Sequence, residues 1–400
     1  MAFLSTHSSP LGRAGARDTG GMSTYLRGLS KALGEAGHRV DLFTRAPAES
    51  EAGVWETDPN VRLIALDDGL GPLAKHEIYP HCPSIAASID RFCRGEGTTY
   101  HIIFSHYWLS GCIGDILQQT WKLPHLIMFH TLGRAKNEAC CGENEPSLRI
   151  AEEERLARAG DLIITAAKSE KEKIIAFYGL PPEKVLVLPC GVDRALFRPL
   201  ESAETRAKNK EQSGIERSSE KIILSVGRIE PVKGFDLLIN AAGLLPAEEN
   251  FKVLIIGGDE ESRAPVARLK ETAARLGIPG KVEFAGMVDH HKMFFYYNEA
   301  AVTVLPSHYE SFGLVALESI ACGTPVVAGP VGIIPELFAA PGCSRLVCLV
   351  PDRSPETWAA GINQMLIRSD PVEYTEVDSC LAPFSWPEVA GRLVSHMLNL

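Results

Sequence analysis

Short strand-like segments, most of them continuous apolar runs, recur along the chain, each closed by a loop and followed by a helical periodicity. In the first half they are Phe3-Leu4 and residues 38–44, 102–106, 126–130 and 162–165. Between the first two, a loop rich in Gly, Ser and Pro spans 7–21. Met22, Tyr25, Leu26, Leu29 and Leu33 then repeat at helical spacing, and Gly37 stops the helix. Strand, helix and strand in that order make a βαβ unit, which requires a parallel sheet. Runs without polar alternation suit strands covered on both faces. A second series starts at 222–226 and continues at 253–256, 282–284, 302–305, 325–328 and 346–350, with helices at 264–276 and 358–367. The polar stretch from Glu201 to Glu220 separates the two series and reads as a linker or an exposed helix. The expected fold class is α/β, with two doubly wound, Rossmann-like domains. Ligands of such sheets sit beyond the carboxyl ends of the strands, so two facing domains make a cleft.

The 400 residues suit two domains better than one. Forty Lys and Arg against 50 Asp and Glu give a net charge of −10, which argues against a nucleic-acid partner and against docking on anionic lipid. No apolar run reaches the ~18 residues needed to span a bilayer. The start, Met1-Ala2-Phe3-Leu4-Ser5-Thr6-His7, has no basic segment and no long apolar one, and does not read as a signal peptide. Ten cysteines are scattered without a Cys-x-x-Cys pair and are expected to be reduced thiols in a cytoplasmic protein. Cys140-Cys141 has no second ligand pair at metal spacing, so no zinc site is expected there.

Two loops of the second series carry chemistry. After the first strand comes Gly227-Arg228-Ile229-Glu230-Pro231-Val232-Lys233-Gly234, then a helix. A glycine turn with two cations at a helix start is suited to an anion, through backbone N–H groups, the helix dipole and the side-chain charges. After the strand at 302–305 comes Pro306-Ser307-His308-Tyr309-Glu310-Ser311-Phe312-Gly313-Leu314, with a helix expected from about Phe312. Glu310 stands at its mouth, and Glu318 lies eight residues on, ~12 Å along a helix axis. One carboxylate can reach a sugar and the other a diol deeper in the cleft, with the N–H groups of Phe312, Gly313 and Leu314 between them for a diphosphate.

This combination, Arg228…Lys233 followed by Glu-x7-Glu, resembles the retaining nucleotide-sugar glycosyltransferases of family 4, which have the GT-B fold. The segments 7–11, Asp18-Thr19-Gly20-Gly21, 105–111 and 130–137 are also similar to that family, so the resemblance spans nearly the whole chain. It implies that Arg228 and Lys233 neutralise the leaving diphosphate, that Glu310 contacts the donor sugar and that Glu318 holds the nucleotide ribose. Gly20 and Gly21 would close over the diphosphate from the first domain, Gly227, Ser311, Phe312, Gly313 and Leu314 would line the donor site, and His130 would face the reacting carbon. The resemblance places the acceptor-binding domain at 1–195 plus a returning helix within 384–400, and the donor-binding domain at 196–383.

The resemblance is nearest to two branches, one transferring a sugar to inositol 3-phosphate and one making sucrose phosphate. Both bind an acceptor phosphate. In the inositol-phosphate branch that phosphate meets a Lys, a Tyr, a Thr and an Arg, which correspond to Lys75, Tyr107, Thr131 and Arg149. Lys and Arg supply charge, and Tyr and Thr supply directed O–H donors. Ser23 departs from the Asn usual in the inositol branch, and Met22 from the Gln usual in the sucrose branch.

The expected partners are a nucleotide-sugar donor, a UDP-sugar first, and a small phosphorylated acceptor, with a homodimer left open. No Asp-x-Asp pair stands at a strand end. Asp67-Asp68 are adjacent, and Asp259-Glu260-Glu261 reads as a helix start. Transfer is therefore expected without a metal or other cofactor. A double displacement would need a carboxylate under the anomeric carbon. Glu310 is the candidate, but the resemblance turns it toward the sugar hydroxyls, which favours same-face attack. A non-phosphorylated acceptor, a sugar-nucleotide epimerase and an inactive sugar-nucleotide binder are the competing readings.

Overall fold

The computed structural model describes residues 1–10, 20–46, 48–139, 144–200, 220–368 and 372–398. The linker from Glu201 to 219, Asp18-Thr19 and Cys140-Cys141 lie outside the described residues. Two sheets form. The first contains β1 (Ala2–Leu4), β2 (Val40–Ala46), β3 (Gly53–Asp58), β4 (Val61–Asp67), β5 (Ile103–His106), β6 (His125–Met128), β7 (Leu162–Thr165) and β8 (Val185–Val187) in the order β3-β4-β2-β1-β5-β6-β7-β8. The second contains β9 (Lys221–Val226), β10 (Phe251–Ile256), β11 (Val282–Gly286), β12 (Ala300–Leu305), β13 (Val326–Ala328) and β14 (Val347–Leu349) in the order β11-β10-β9-β12-β13-β14.

Every pairing is parallel except β3 on β4. The β3–β4 hairpin and β8 were not expected from the sequence. Strand β3 is an edge strand whose Val54, Trp55 and Glu56 are exposed, so it lacks the apolar run of a buried strand. In each sheet the strand order reverses once at the centre, between β1 and β5 and between β9 and β12. Such reversals open a crevice at the carboxyl ends. The loops after β1, β5, β9 and β12 therefore converge on the space between the sheets.

The chain crosses back at its end. Helix Trp386–Met397 leaves the second domain and packs on helix Gly21–Glu35 of the first. The Trp386 ring meets Tyr25 edge to face, with centroids 5.7 Å apart. It fits because Gly28 and Gly191 carry no side chain: a Cβ on either would lie 2.0 Å or 2.5 Å from the indole.

Cys343 and Cys380 form a disulfide, which corrects the expectation that all ten cysteines are reduced. Helix Tyr374–Leu381 folds against the segment before β14 and brings together two residues 37 positions apart, a juxtaposition that spacing does not reveal. No helix among the described residues is long and apolar enough to cross a membrane.

Candidate active site

A cleft of about 380 Å³ lies between the domains, within the usual range for small-molecule sites. His130, Arg228, Lys233, Glu310, Gly20, Gly21, Gly227, Ser311, Phe312, Gly313, Leu314, Glu318, Lys75, Tyr107 and Thr131 all line it. Arg149 is the one expected site residue that does not.

On the second-domain wall, the loop after β9 and the loop after β12 meet. Lys233 Nζ donates to Glu310 Oε1 at 2.6 Å, and Ser307 Oγ donates to the same oxygen at 2.7 Å. The expected cation and the expected sugar-facing carboxylate are thus in contact. Arg228 turns outward to Glu230 at 2.9 Å with its side chain 47% exposed. A surface pair of that kind is worth about 0–1 kcal/mol, so an anion in the cleft can recruit Arg228 at small cost. The helix at this wall runs from Leu314 to Ala321, beginning two residues later than expected. Gly313, at φ 106°, takes a left-handed conformation that a helix cannot continue through. The first turn of the helix begins there, with the Ala316 N–H already donating to the Gly313 carbonyl at 3.0 Å.

Glu318 is 5% exposed and is held from two sides. His290 Nε2 is 2.6 Å from Oε1, and Tyr297 donates its O–H to Oε2 at 2.8 Å. Neither partner was expected from the sequence. They come from 290–292 and helix Met293–Glu299, whose distance from Glu318 along the chain conceals the contact.

The first-domain wall is built at the ends of β5 and β6. Tyr107 and His130 each follow a strand, or nearly so, with positive φ, 78° and 61°. Left-handed backbone at residues other than glycine is strained and is typical of positions fixed for function. His130 Nε2 lies 2.9 Å from His106 Nδ1. Burial pushes the His130 pKa down to about 3, and burial, then the His130 and His7 rings, hold His106 well below its ordinary value. Both rings are neutral at pH 7, so His130 can present a hydrogen bond to a sugar but no charge.

Tyr107 gathers the expected acceptor ligands. Lys75 Nζ sits 4.2 Å from its ring centroid and the Arg149 guanidinium 4.9 Å. The His7 ring packs on it at 4.3 Å. Arg149 donates to Thr131 Oγ1 at 2.9 Å and to the Thr131 carbonyl at 2.7 Å. The four residues therefore converge, but Arg149 lies behind the wall. It is 3% exposed and ion-paired to Glu153 at 2.6 Å and Glu145 at 2.8 Å. Its charge is balanced from within the protein, which corrects the picture of a second cation standing open to the acceptor.

The second domain reaches across this wall. Tyr309, next to Glu310, accepts a hydrogen bond at its hydroxyl from the Leu132 N–H, 3.2 Å away, and Lys173 lies 5.0 Å from its ring. Among the described residues, no three His, Cys, Asp or Glu side chains are grouped to hold a metal ion.

Comparison with known proteins agrees with this architecture. Residues 20–191 match the model of the glycosyl transferase 4-like domain, and residues 206–375 that of glycosyl transferases group 1. The D-inositol 3-phosphate glycosyltransferase of Acidothermus cellulolyticus is 36% identical, over 92% of this chain and 82% of that protein. The same enzyme of Kineococcus radiotolerans is 34% identical over 98% and 93%. Among solved structures, sucrose-phosphate synthase from Thermosynechococcus elongatus superposes with a TM-score of 0.86 at 28% identity, covering all of this chain and 98% of that one. Anabaena Alr3699/HepE, solved with UDP and glucose, gives 0.75 at 18% identity over 100% and 99%, a likeness of fold.

Proposed function

This chain belongs to the group 1, family 4-like glycosyltransferases of GT-B fold, and from that premise we propose that it moves a sugar from a UDP-sugar to a small phosphorylated acceptor, an inositol phosphate or a hexose phosphate, with retention at the anomeric carbon. The observation that carries the acceptor is the convergence of Lys75, Tyr107 and Thr131 on the first-domain wall. One ammonium and two hydroxyl-bearing side chains lining the same wall suit a phosphate better than a neutral polyol. Arg149 supports them from behind by holding Thr131 and packing on the Tyr107 ring. The curated relatives are named for a phosphorylated inositol, which supports the same reading.

In this reading the diphosphate lies against Arg228, Lys233 and the start of helix Leu314–Ala321. These groups stabilise the charge that develops as the glycosidic bond breaks, where preorganised donors contribute most. The cation pair takes the part a divalent metal plays elsewhere, so transfer proceeds without one. Glu310, fixed by Lys233 and Ser307, holds donor-sugar hydroxyls and is not poised as a nucleophile. The acceptor hydroxyl attacks on the face the diphosphate is leaving, and a diphosphate oxygen takes its proton. Neutral His130 orients the sugar near the reacting carbon.

The test is a matrix of nucleotide sugars against inositol phosphates, hexose phosphates and their dephosphorylated forms, with and without EDTA. Transfer to a phosphorylated acceptor that survives EDTA is expected. Donor breakdown independent of any acceptor, epimerised donor, or activity lost to EDTA and restored by magnesium would each contradict a named part of the proposal.

A further inference from the structure

Glu318 is a buried carboxylate, and a carboxylate in that position is tolerable only when its oxygens are hydrogen-bonded. Among the described residues both are, once each: Oε1 by His290 Nε2 and Oε2 by the Tyr297 hydroxyl. An ionised carboxylate only accepts, so Nε2 of His290 carries the proton. Burial opposes charge on His290, but the hydrogen bond to Glu318 and the Glu318 charge outweigh it, and the pKa stands above its ordinary value. The ring is braced edge to face on Phe197, with centroids 5.3 Å apart. Tyr297 is fully buried and packs on the same Phe197 ring at 5.8 Å. Around the pair stand Arg27 from helix Gly21–Glu35 and Asp193 from the segment joining the domains. His290, Tyr297 and Glu318 all line the cleft.

Each carboxylate oxygen can accept about two hydrogen bonds, so this arrangement leaves one place on each. Two vicinal hydroxyls fit that pair of places. We infer that His290 is a positioning residue that sets selectivity for a ribonucleotide over a deoxyribonucleotide donor, by fixing the Glu318 carboxylate so that its two remaining acceptor sites face the ribose diol. The inference rests on the nucleotide-sugar reading above. Tyr297 anchors one oxygen from the buried side, and His290 anchors the other from the cleft. Without His290 the carboxylate can turn about its last bond, and the second hydroxyl loses its fixed acceptor.

The experiment measures binding of UDP, ADP and GDP and of their 2′-deoxy counterparts by calorimetry, for the wild type, His290→Gln, His290→Asn and His290→Ala. Gln can place an amide N–H near the position of Nε2, whereas Asn is too short, so the two differ in reach and hardly in polarity. The preferred ribonucleotide should bind the wild type about 10-fold or more tightly than its deoxy form, a difference one well-placed hydrogen bond supplies. His290→Asn and His290→Ala should bring that ratio below about 3-fold and raise the donor KM, while kcat changes by less than about 3-fold, the signature of lost ground-state binding. His290→Gln should restore most of the ratio. An unchanged ratio in His290→Asn, or tighter diphosphate binding when His290 is removed, would overturn the inference, the latter by showing that His290 occupies the place of the ribose. A wild type that binds a diphosphate without discriminating its deoxy form also overturns it and leaves the transferase reading standing. A wild type that binds none of the three diphosphates overturns both.

Discussion

Lys233 and Glu310 touch across two loops that are 77 residues apart, and a single contact of this kind decides what each can do. If Lys233 and Arg228 stabilise the leaving diphosphate, replacing either by Ala should lower kcat by more than about 100-fold, as for other preorganised stabilisers of developing charge. The fold should survive, because Glu310 keeps its bond from Ser307 and Arg228 is a surface residue. Near-normal turnover in a folded variant would refute the assignment. Arg149 is a poor probe of the acceptor by comparison. Removing it leaves Glu153 buried and without its main counter-charge, which costs about 3–5 kcal/mol and confounds activity with stability. Glu170 offers a test of a different kind. Its Oε2 accepts from the Ala166 N–H at 3.1 Å, Oε1 is buried without a partner among the described residues, and burial pushes its pKa up to about 7. A carboxyl raised in the folded state from about 4.5 to about 7 adds stability that is fully present below pH 4.5 and is lost as the pH rises through 7, at most about 3 kcal/mol. Urea unfolding at pH 5 and pH 8 should therefore differ more for the wild type than for Glu170→Gln. Equal slopes in the two proteins would show that Glu170 does not carry this loss.

Among the elements, those with strong periodicity were legible. Helix Arg263–Arg275 lies within one residue of its expected span, and Asp259 caps the turn before it, as its position suggested. The central strands β5, β6, β7, β9, β10 and β12 announce themselves by apolar runs because helices cover both their faces. The hairpin β3–β4 does not, because β3 exposes its side chains to solvent at the sheet edge. The candidate site was legible where a motif carried it, as in the Arg228–Lys233 loop and Glu310. It was illegible where topology alone makes the contact: His290 and Tyr297 on Glu318, and the two carboxylates that claim Arg149. The crossing helix is the element most open to a stability test. Gly28→Ala puts a methyl 2.0 Å from the Trp386 ring, and overpacking of that order costs about 1–3 kcal/mol. The expected outcome is a lower midpoint in thermal or urea unfolding. Gly37→Ala, whose Cβ meets nothing within 4 Å but whose φ is 89°, separates a packing penalty from a backbone one. A Gly28→Ala midpoint equal to the wild type would mean that Trp386 does not seat where the structure places it.

At the scale of the molecule, function depends on two sheets presenting their strand ends to one cleft. Among the described residues the chain passes between the domains through 188–200 and through the turn at 382–384 into helix Trp386–Met397. Smaller contacts fix the approach: Ser169 Oγ donates to the Gly332 carbonyl at 3.1 Å, the Lys168 N–H to Glu336 at 2.8 Å and the Leu132 N–H to Tyr309 at 3.2 Å. In the proposed reaction the donor and the acceptor are held by different domains, so catalysis would require both to be kept at one distance. The central claim is that the first-domain wall selects a phosphate. If the Lys75 ammonium binds the acceptor phosphate, removing that phosphate forfeits a charge-assisted interaction in a half-enclosed site, a loss on the order of 2 kcal/mol. The direct measurement is kcat/KM for inositol or hexose phosphates divided by kcat/KM for the free polyols and sugars, in the wild type and in Lys75→Ala. A ratio of about 30 or more in the wild type, falling toward one in Lys75→Ala with donor KM unchanged, is the predicted result. A wild-type ratio near one would show that Lys75, Tyr107 and Thr131 serve some other acceptor, and would contradict the account.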